Sequence, residues 1–176
     1  ATAKTVYGAL RALETFSQLV RFDFDANAYA LPGAPWDITD SPRFPHRGLM
    51  IDTARHYQPL AHIRAMIDTL PYAKLNVLHW HIMDTNSWPL QSERYPLFSE
   101  RGAFAAQAVY THADVSAVVA HAWERGIVVL PEWDMPAHAS IWGVAYPNLT
   151  ITCPPGVHGE TLLTPTGEAL QVFAGL

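Results

Sequence analysis

The sequence has little that would point to several common classes of protein. It holds a single cysteine, Cys153, so no disulfide closes within these 176 residues. Cys153 is then either a buried thiol or, in a secreted protein, half of a bridge to a cysteine elsewhere. Charge is scarce at 15% of residues, and 11 Lys and Arg face 16 Asp and Glu for a net charge of −5. An acidic surface repels nucleic acid and anionic lipid, which sets both aside as partners. No apolar run approaches the ~18–20 residues of a transmembrane helix, so no membrane span is expected. The opening Ala1-Thr2-Ala3-Lys4 leads into a polar-punctuated segment rather than a signal peptide, and the absence of an initial Met suggests processing or a cut. What is abundant is apolar: 49% of residues are hydrophobic, typical of a globular protein, and the length suits one domain.

The pattern along the chain changes near position 45. Before it, Val6, Leu10, Leu13, Ser17 and Val20 recur at helical spacing, which predicts a helix over residues 5–20 with one apolar stripe. The alternation Phe22-Asp23-Phe24-Asp25 is strand-like, and two Pro-rich stretches follow, Leu31-Pro32-Gly33-Ala34-Pro35 and Ser41-Pro42-Arg43-Phe44-Pro45. Residues 1–44 therefore read as a connector from a preceding domain, and 45–176 as the start of another. From Gly48 the order becomes strand, helix, strand, helix, strand. Gly48 to Asp52 is a short strand, and Pro59 opens a helix bearing Leu60, Ile63, Met66, Ile67 and Leu70 on one face. Residues 74–82 read as a strand buried on both sides. Thr111-His112-Ala113-Asp114 has the form of a capping box before Val115, Val118, Val119, Ala122 and Trp123, with Gly126 as the stop. Residues 127–130 are a third strand, and Thr164-Pro165 starts a further helix carrying Leu170, Phe173 and Ala174. Strands alternating with crossover helices imply an α/β fold with a parallel sheet. Three strands are too few for a closed barrel or a doubly wound sheet, so the chain is expected to be a fragment.

Each strand runs, at its C-terminal end, into side chains capable of chemistry. The first leads to Asp52 and Arg55, the second contains His79 and His81 and leads to Asp84, and the third leads to Glu132, Asp134 and His138. In parallel α/β folds this edge is where loops converge on one crevice. His79 and His81 share a strand face and, with Asp84, suit zinc or iron; buried histidines bonded to backbone fit equally well. Arg55 is suited either to clamp vicinal hydroxyls or a carboxylate, or to pair with Asp52. Asp84, Glu132 and Asp134 offer an acid/base pair or loop support. Trp80, Trp88, Trp133 and Trp142 offer faces for sugar stacking or simply core packing. Asn148-Leu149-Thr150 is an N-glycosylation sequon.

Four stretches closely resemble glycoside hydrolase family 20, the β-N-acetylhexosaminidases, and lean toward its eukaryotic lysosomal or secreted members. They are residues 41–48, Ile51-Asp52-Thr53-Ala54-Arg55-His56-Tyr57, Asn76-Val77-Leu78-His79-Trp80-His81, and Pro131-Glu132-Trp133-Asp134-Met135-Pro136-Ala137-His138. Residues 8–19 resemble the family's connector between its N-terminal domain and its barrel. The resemblance implies the first three βα units of a (β/α)8 barrel, incomplete in this chain. It implies exo-hydrolysis, with retention, of terminal β-linked N-acetylglucosamine or N-acetylgalactosamine from an oligosaccharide or glycoconjugate. The substrate's own acetamido oxygen attacks the anomeric carbon. No cofactor or metal is implied. The parent protein would be lysosomal or extracellular, and a dimeric parent is among the expectations.

Carried over position by position, Arg55 binds hydroxyls of the terminal sugar. Asp84 and His138 form a hydrogen-bonded chain to the general acid, Glu132 and Asp134 support the loop carrying His138, and Asn148 carries a glycan. The family's catalytic Asp-Glu pair follows the fourth strand, and no adjacent Asp-Glu occurs in this sequence, so the chain alone is expected to be inactive. Cys153 corresponds to a cysteine that in eukaryotic relatives pairs with one beyond the catalytic acids. Two positions depart from the family pattern: Ala137 stands where glycine is usual, a strained substitution if φ there is positive, and Thr85 where a second acid is frequent. Two other readings stay open, a metal-dependent barrel hydrolase using His79 and His81, and a sugar-binding fragment without catalysis.

Overall fold

A computed structural model describes residues 1–151 and 161–175. Helix α1 (Val6–Leu19) begins at Thr5, whose hydroxyl accepts from the Gly8 amide, and is followed by a hairpin of β1 (Arg21–Asp23) and β2 (Ala28–Ala30). The expected alternation stops at Asp23, because its carboxylate accepts the amides of Asp25 and Ala26 and turns the chain back. Three parallel strands then form one sheet in chain order: β3 (Gly48–Asp52), β4 (Val77–Met83) and β5 (Val128–Trp133). Helix α2 (Leu60–Thr69) and a 3₁₀ turn at Leu70–Ala73 join the first pair, and α3 (Leu97–Gly102) and α4 (His112–Trp123) the second. After β5 come α5 (Ser140–Ala145), the short pair β6 (Thr150–Ile151) and β7 (Leu162–Leu163), and α6 (Gly167–Ala174).

Register determines what each sheet face carries. The parallel ladders align Gly48, Val77 and Val128 in one row, Met50, His79 and Leu130 in the next, and Asp52, His81 and Glu132 in the third. Because side chains alternate with a period of two, these three rows share a face. The opposite face presents Leu78, Trp80 and Ile82 to the helices, where all three are buried together with Ile63, Ile67, Val118 and Ala122. On the first face Met50, Val128 and Leu130 are each about half exposed. Layered apolar side chains on the side away from the helices are what the interior of a (β/α)8 barrel displays.

The amino ends of the strands are closed by α1. Arg11 donates to the carbonyls of Leu75 (2.9 Å) and Arg125 (3.1 Å), which precede β4 and β5. Lys74 donates to Thr15 and Asp40, and Arg47, just before β3, donates through Nε to the Lys74 carbonyl. The expected apolar stripe of α1 is not buried: Val6, Leu13 and Phe16 are exposed, and polar contacts seat the helix instead.

Several local expectations hold and several do not. Thr111 and Asp114 make both bonds of a capping box, and Gly126 ends α4's turn at φ +67°. Pro59 is the N-cap of α2 rather than its first residue, and Met66 and Trp123 are exposed. β4 starts three residues later than expected, because Lys74 takes a left-handed φ of 54° after the 3₁₀ turn. α6 buries Ala169 and Val172, whereas Leu170 faces solvent, so its buried face is not the predicted one. Cys153 and the side chain of Phe173 lie outside the described residues. α3 and α5, absent from the sequence reading, hold a cluster in which Trp88 stacks on Phe98 (4.0 Å, 12°) and Trp142 meets both edge-on. Trp80, Trp88 and Trp142 are completely buried, so none offers a face to a sugar ring.

Gly126 faces two demands: its positive φ, and the ring of Tyr7 on α1, which a Cβ would approach to 2.5 Å at Cδ1. Gly126→Ala is expected to destabilise by more than about 1 kcal/mol, and Leu170→Ala to stay within about 0.5 kcal/mol. Urea denaturation of both variants checks this. Adding Tyr7→Ala to the glycine variant should recover part of the loss.

Candidate active site

The polar groups at the carboxyl ends of β3, β4 and β5 form one connected network. It starts from the row Asp52, His81 and Glu132, which the register lays side by side. His81, only 4% exposed, directs Nε2 at Asp84 Oδ2 (2.8 Å) and Nδ1 at Glu132 Oε2 (3.0 Å). Carboxylate oxygens only accept, so the ring satisfies both neighbours as a doubly protonated imidazolium. Burial disfavours that cation, but the bonds to Glu132 and Asp84 outweigh it and raise the pKa of His81. Glu132 Oε2 also receives His79 Nε2 at 2.5 Å, and Glu132 is held below the usual carboxylate range by His81 first, with His79 adding to it.

Asp84 is the buried centre, 1% exposed, in the turn after β4. Burial alone would push its pKa up. His81, the Thr85 amide, His138 and Arg55 together hold it below the ordinary value. Arg55 reaches Asp84 Oδ2 through Nη2 at 2.5 Å and Asp52 Oδ2 through Nη1 at 2.7 Å. Asp52 in turn accepts the amides of Ala54 and Arg55, so the loop after β3 is closed around its own carboxylate. Burial opposes ionisation of Asp52, and these amides with the Arg55 side chain keep its pKa low. His138 Nδ1 lies 3.1 Å from Asp84 Oδ1, 3.4 Å from Asp134 Oδ2 and 3.2 Å from Arg55 Nη2.

All five residues singled out for chemistry, Arg55, Asp84, Glu132, Asp134 and His138, thus converge. Asn148 is separate and exposed, in the 3₁₀ turn at Pro147–Leu149. Of the two alternatives for Arg55, the pairing with Asp52 is present, and the side chain stays 39% exposed toward solvent. Glu132 lies within β5 and bonds to His79 and His81, and Asp134 is the acid that reaches His138 directly. His79 also turns to Glu132 rather than joining Asp84. Among the described residues the metal-sized group is His81, Asp84 and Asp134, with ligand atoms within 4.8 Å. The Arg55 guanidinium already contacts Asp84 there, 3.3 Å from His81, and supplies the positive charge. At the substituted position Ala137, φ is not positive, and the left-handed residue is its neighbour His138 at φ 55°. The strain therefore falls on the histidine itself. The pairing of His81 with Glu132 was not found from sequence, because the alternation of His79 and His81 reveals a shared face but not the register of β5.

The family model for the glycosyl hydrolase family 20 catalytic domain matches residues 44–171, which include the whole network. Beta-hexosaminidase 3 of Arabidopsis thaliana is 51% identical over 147 residues, covering 84% of this chain and 27% of the relative. Beta-hexosaminidase subunit alpha of Bos taurus is 44% identical over 170 residues, covering 96% of this chain and 32% of the relative. The chain therefore spans between a quarter and a third of the length of these relatives. Among solved structures, a glycoside hydrolase family 20 beta-N-acetylglucosaminidase has a TM-score of 0.86 at 30% identity, over 98% of this chain and 40% of its own. Flavobacterium johnsoniae chitobiase has a TM-score of 0.81 at 32% identity, over 95% of this chain and 26% of its own.

Asp84 and His81, shifted in opposite directions, bound a window of stability. Asp84, with its pKa lowered, stabilises the fold above the ordinary carboxylate value of ~3.9, and this is lost as pH falls. His81, with its pKa raised, contributes fully below ~6.5, and this is lost as pH rises through its folded value. The urea midpoint is expected to decline on the alkaline side, and His81→Gln to flatten that decline. An unchanged alkaline slope in the variant would show that the imidazolium is not its source.

Proposed function

Because the chain belongs to glycosyl hydrolase family 20, we propose that it forms the first three βα units of a retaining exo-β-N-acetylhexosaminidase. The substrate would be a terminal β-linked N-acetylglucosamine or N-acetylgalactosamine on an oligosaccharide or glycoconjugate. The observation that carries the reading is the meeting of Arg55, Asp84 and His138 at the carboxyl edge of the sheet. In such an enzyme the acetamido oxygen of the substrate attacks the anomeric carbon, and a carboxylic acid protonates the departing oxygen.

This chain's own residues would prepare that step. Arg55 is held at Nη1 by Asp52 and at Nη2 by Asp84, which fixes its plane before any ligand arrives. A rigid, half-exposed fork of N–H donors matches the vicinal hydroxyls of a terminal sugar, and its ordering cost is met on folding rather than on binding. Asp84 and His138 would orient the general acid on the fourth strand, the buried anion fixing the ring through Nδ1. The catalytic Asp-Glu pair belongs to that later part of the barrel. With no adjacent Asp-Glu in the sequence, these 176 residues by themselves are expected to turn nothing over.

The same reading puts residues 1–44 between this barrel and a preceding domain. It puts the parent in the lysosome or outside the cell, where the exposed Asn148 would carry a glycan. In the enzyme extended through the rest of its barrel, Arg55→Ala is expected to raise KM and weaken inhibitor binding by at least 10-fold, on the order of the 1.4 kcal/mol or more of a charged hydrogen bond. His138→Ala is expected to lower kcat chiefly and to alter the acid limb of its pH profile. Steady-state kinetics on an aryl β-N-acetylglucosaminide tests both, and unchanged KM and inhibitor affinity in Arg55→Ala would sink the assignment.

A further inference from the structure

We propose that Glu132 is a positioning residue, which clamps His79 and His81 of β4 so that His81 holds Asp84 in place beneath His138. The inference rests on the hexosaminidase reading above. It concerns a residue that this reading would otherwise leave as loop support.

The geometry is a chain across all three strands. One oxygen, Glu132 Oε2, receives His79 Nε2 at 2.5 Å and His81 Nδ1 at 3.0 Å. The far nitrogen of His81 is 2.8 Å from Asp84 Oδ2, and Asp84 Oδ1 is 3.1 Å from His138 Nδ1. An imidazole has two nitrogens and one ring orientation. With Nδ1 fixed by Glu132, Nε2 has a single direction, and it faces Asp84. Without Glu132 the buried Nδ1–H faces no acceptor, so the ring either gives up that proton or turns, and Asp84 loses a donor with a defined position. Asp84 is 1% exposed and cannot recover the loss from water. The displacement then passes to His138, whose left-handed backbone is held by its bonds to Asp84.

Position argues for the same role. The rows below Glu132 on this face are Leu130 and Val128, apolar layer residues. The Glu132 side chain keeps 40% of its surface exposed, yet both of its bonds run to β4 rather than to its own loop. Arg55 is anchored by Asp52 as well as by Asp84, so one of its two carboxylate partners stays in place when the clamp is lost. Loss of Glu132 should therefore spare sugar binding and impair turnover.

The test uses the full-length enzyme with Glu132→Gln, which preserves shape and removes the charge, and Glu132→Ala as a second variant. Asp84→Asn serves as the benchmark. Expected is a fall in kcat of about 10–100-fold with KM within about twofold, the size seen when a supporting hydrogen-bond partner is removed. The alkaline limb of the kcat profile should also move to lower pH. His81 would then lack one of the groups facing it, which are Asp52 at the end of β3, Arg55 in the loop after it, Asp84 after β4 and Glu132 on β5. If Asp84→Asn loses turnover while both Glu132 variants keep kcat and the alkaline limb, the clamp is overturned and the hexosaminidase reading stands. A wild-type enzyme that does not hydrolyse the glycoside overturns both.

Discussion

A carboxylate with 1% exposure organises this end of the molecule. Taking Asp84 out of water is costly unless donors replace the lost hydration, and here they come from every side: His81 on its own strand, the Thr85 amide, Arg55 from the loop after β3, and His138 from the loop after β5. The donors come from three segments of the chain, so the anion ties three βα units together at one point. The arrangement also explains why Arg55 tolerates solvent on one side. Its charge is needed by Asp84 and Asp52, and its remaining donors stay outward.

The sheet makes that convergence possible through register rather than through any single motif. Asp52, His81 and Glu132 lie in one cross-strand row, and a shift of one residue in either ladder would send a member of the row to the helix face. The helix face specifies the register, because Leu78, Trp80 and Ile82 must be buried against α2 and α4. Packing on one side of the sheet thereby aligns chemistry on the other. The polar network at the carboxyl ends is matched at the amino ends by α1, where Arg11 occupies the carbonyls of Leu75 and Arg125.

Much of this was legible in the residues, and the failures have a common cause. Local signals read correctly: the Thr111/Asp114 capping box, the Gly126 stop, the three strands and the concentration of polar groups at their ends. These depend on neighbours within a few positions. What failed depends on contacts far along the chain. The buried face of α6 and the pairing of Glu132 with His79 and His81 are each decided by which elements meet. The family resemblance pointed to Arg55, Asp84, Glu132 and His138 without geometry, so the contacts that join them came only from the fold.

The left-handed backbone of His138 fits this division of labour. A φ of 55° costs a non-glycine residue about 1–2 kcal/mol, and one residue earlier Ala137 escapes it. Strain of that size persists where surrounding bonds over-determine the conformation. They include the contacts of Nδ1 with Asp84, Asp134 and Arg55, and the Leu163 amide on the Pro136 carbonyl, which pins the loop from β7. No positive φ is required of the residue before His138, so Ala137 carries none of this strain. The conformational demand falls on the histidine, and the buried carboxylate beneath it meets that demand.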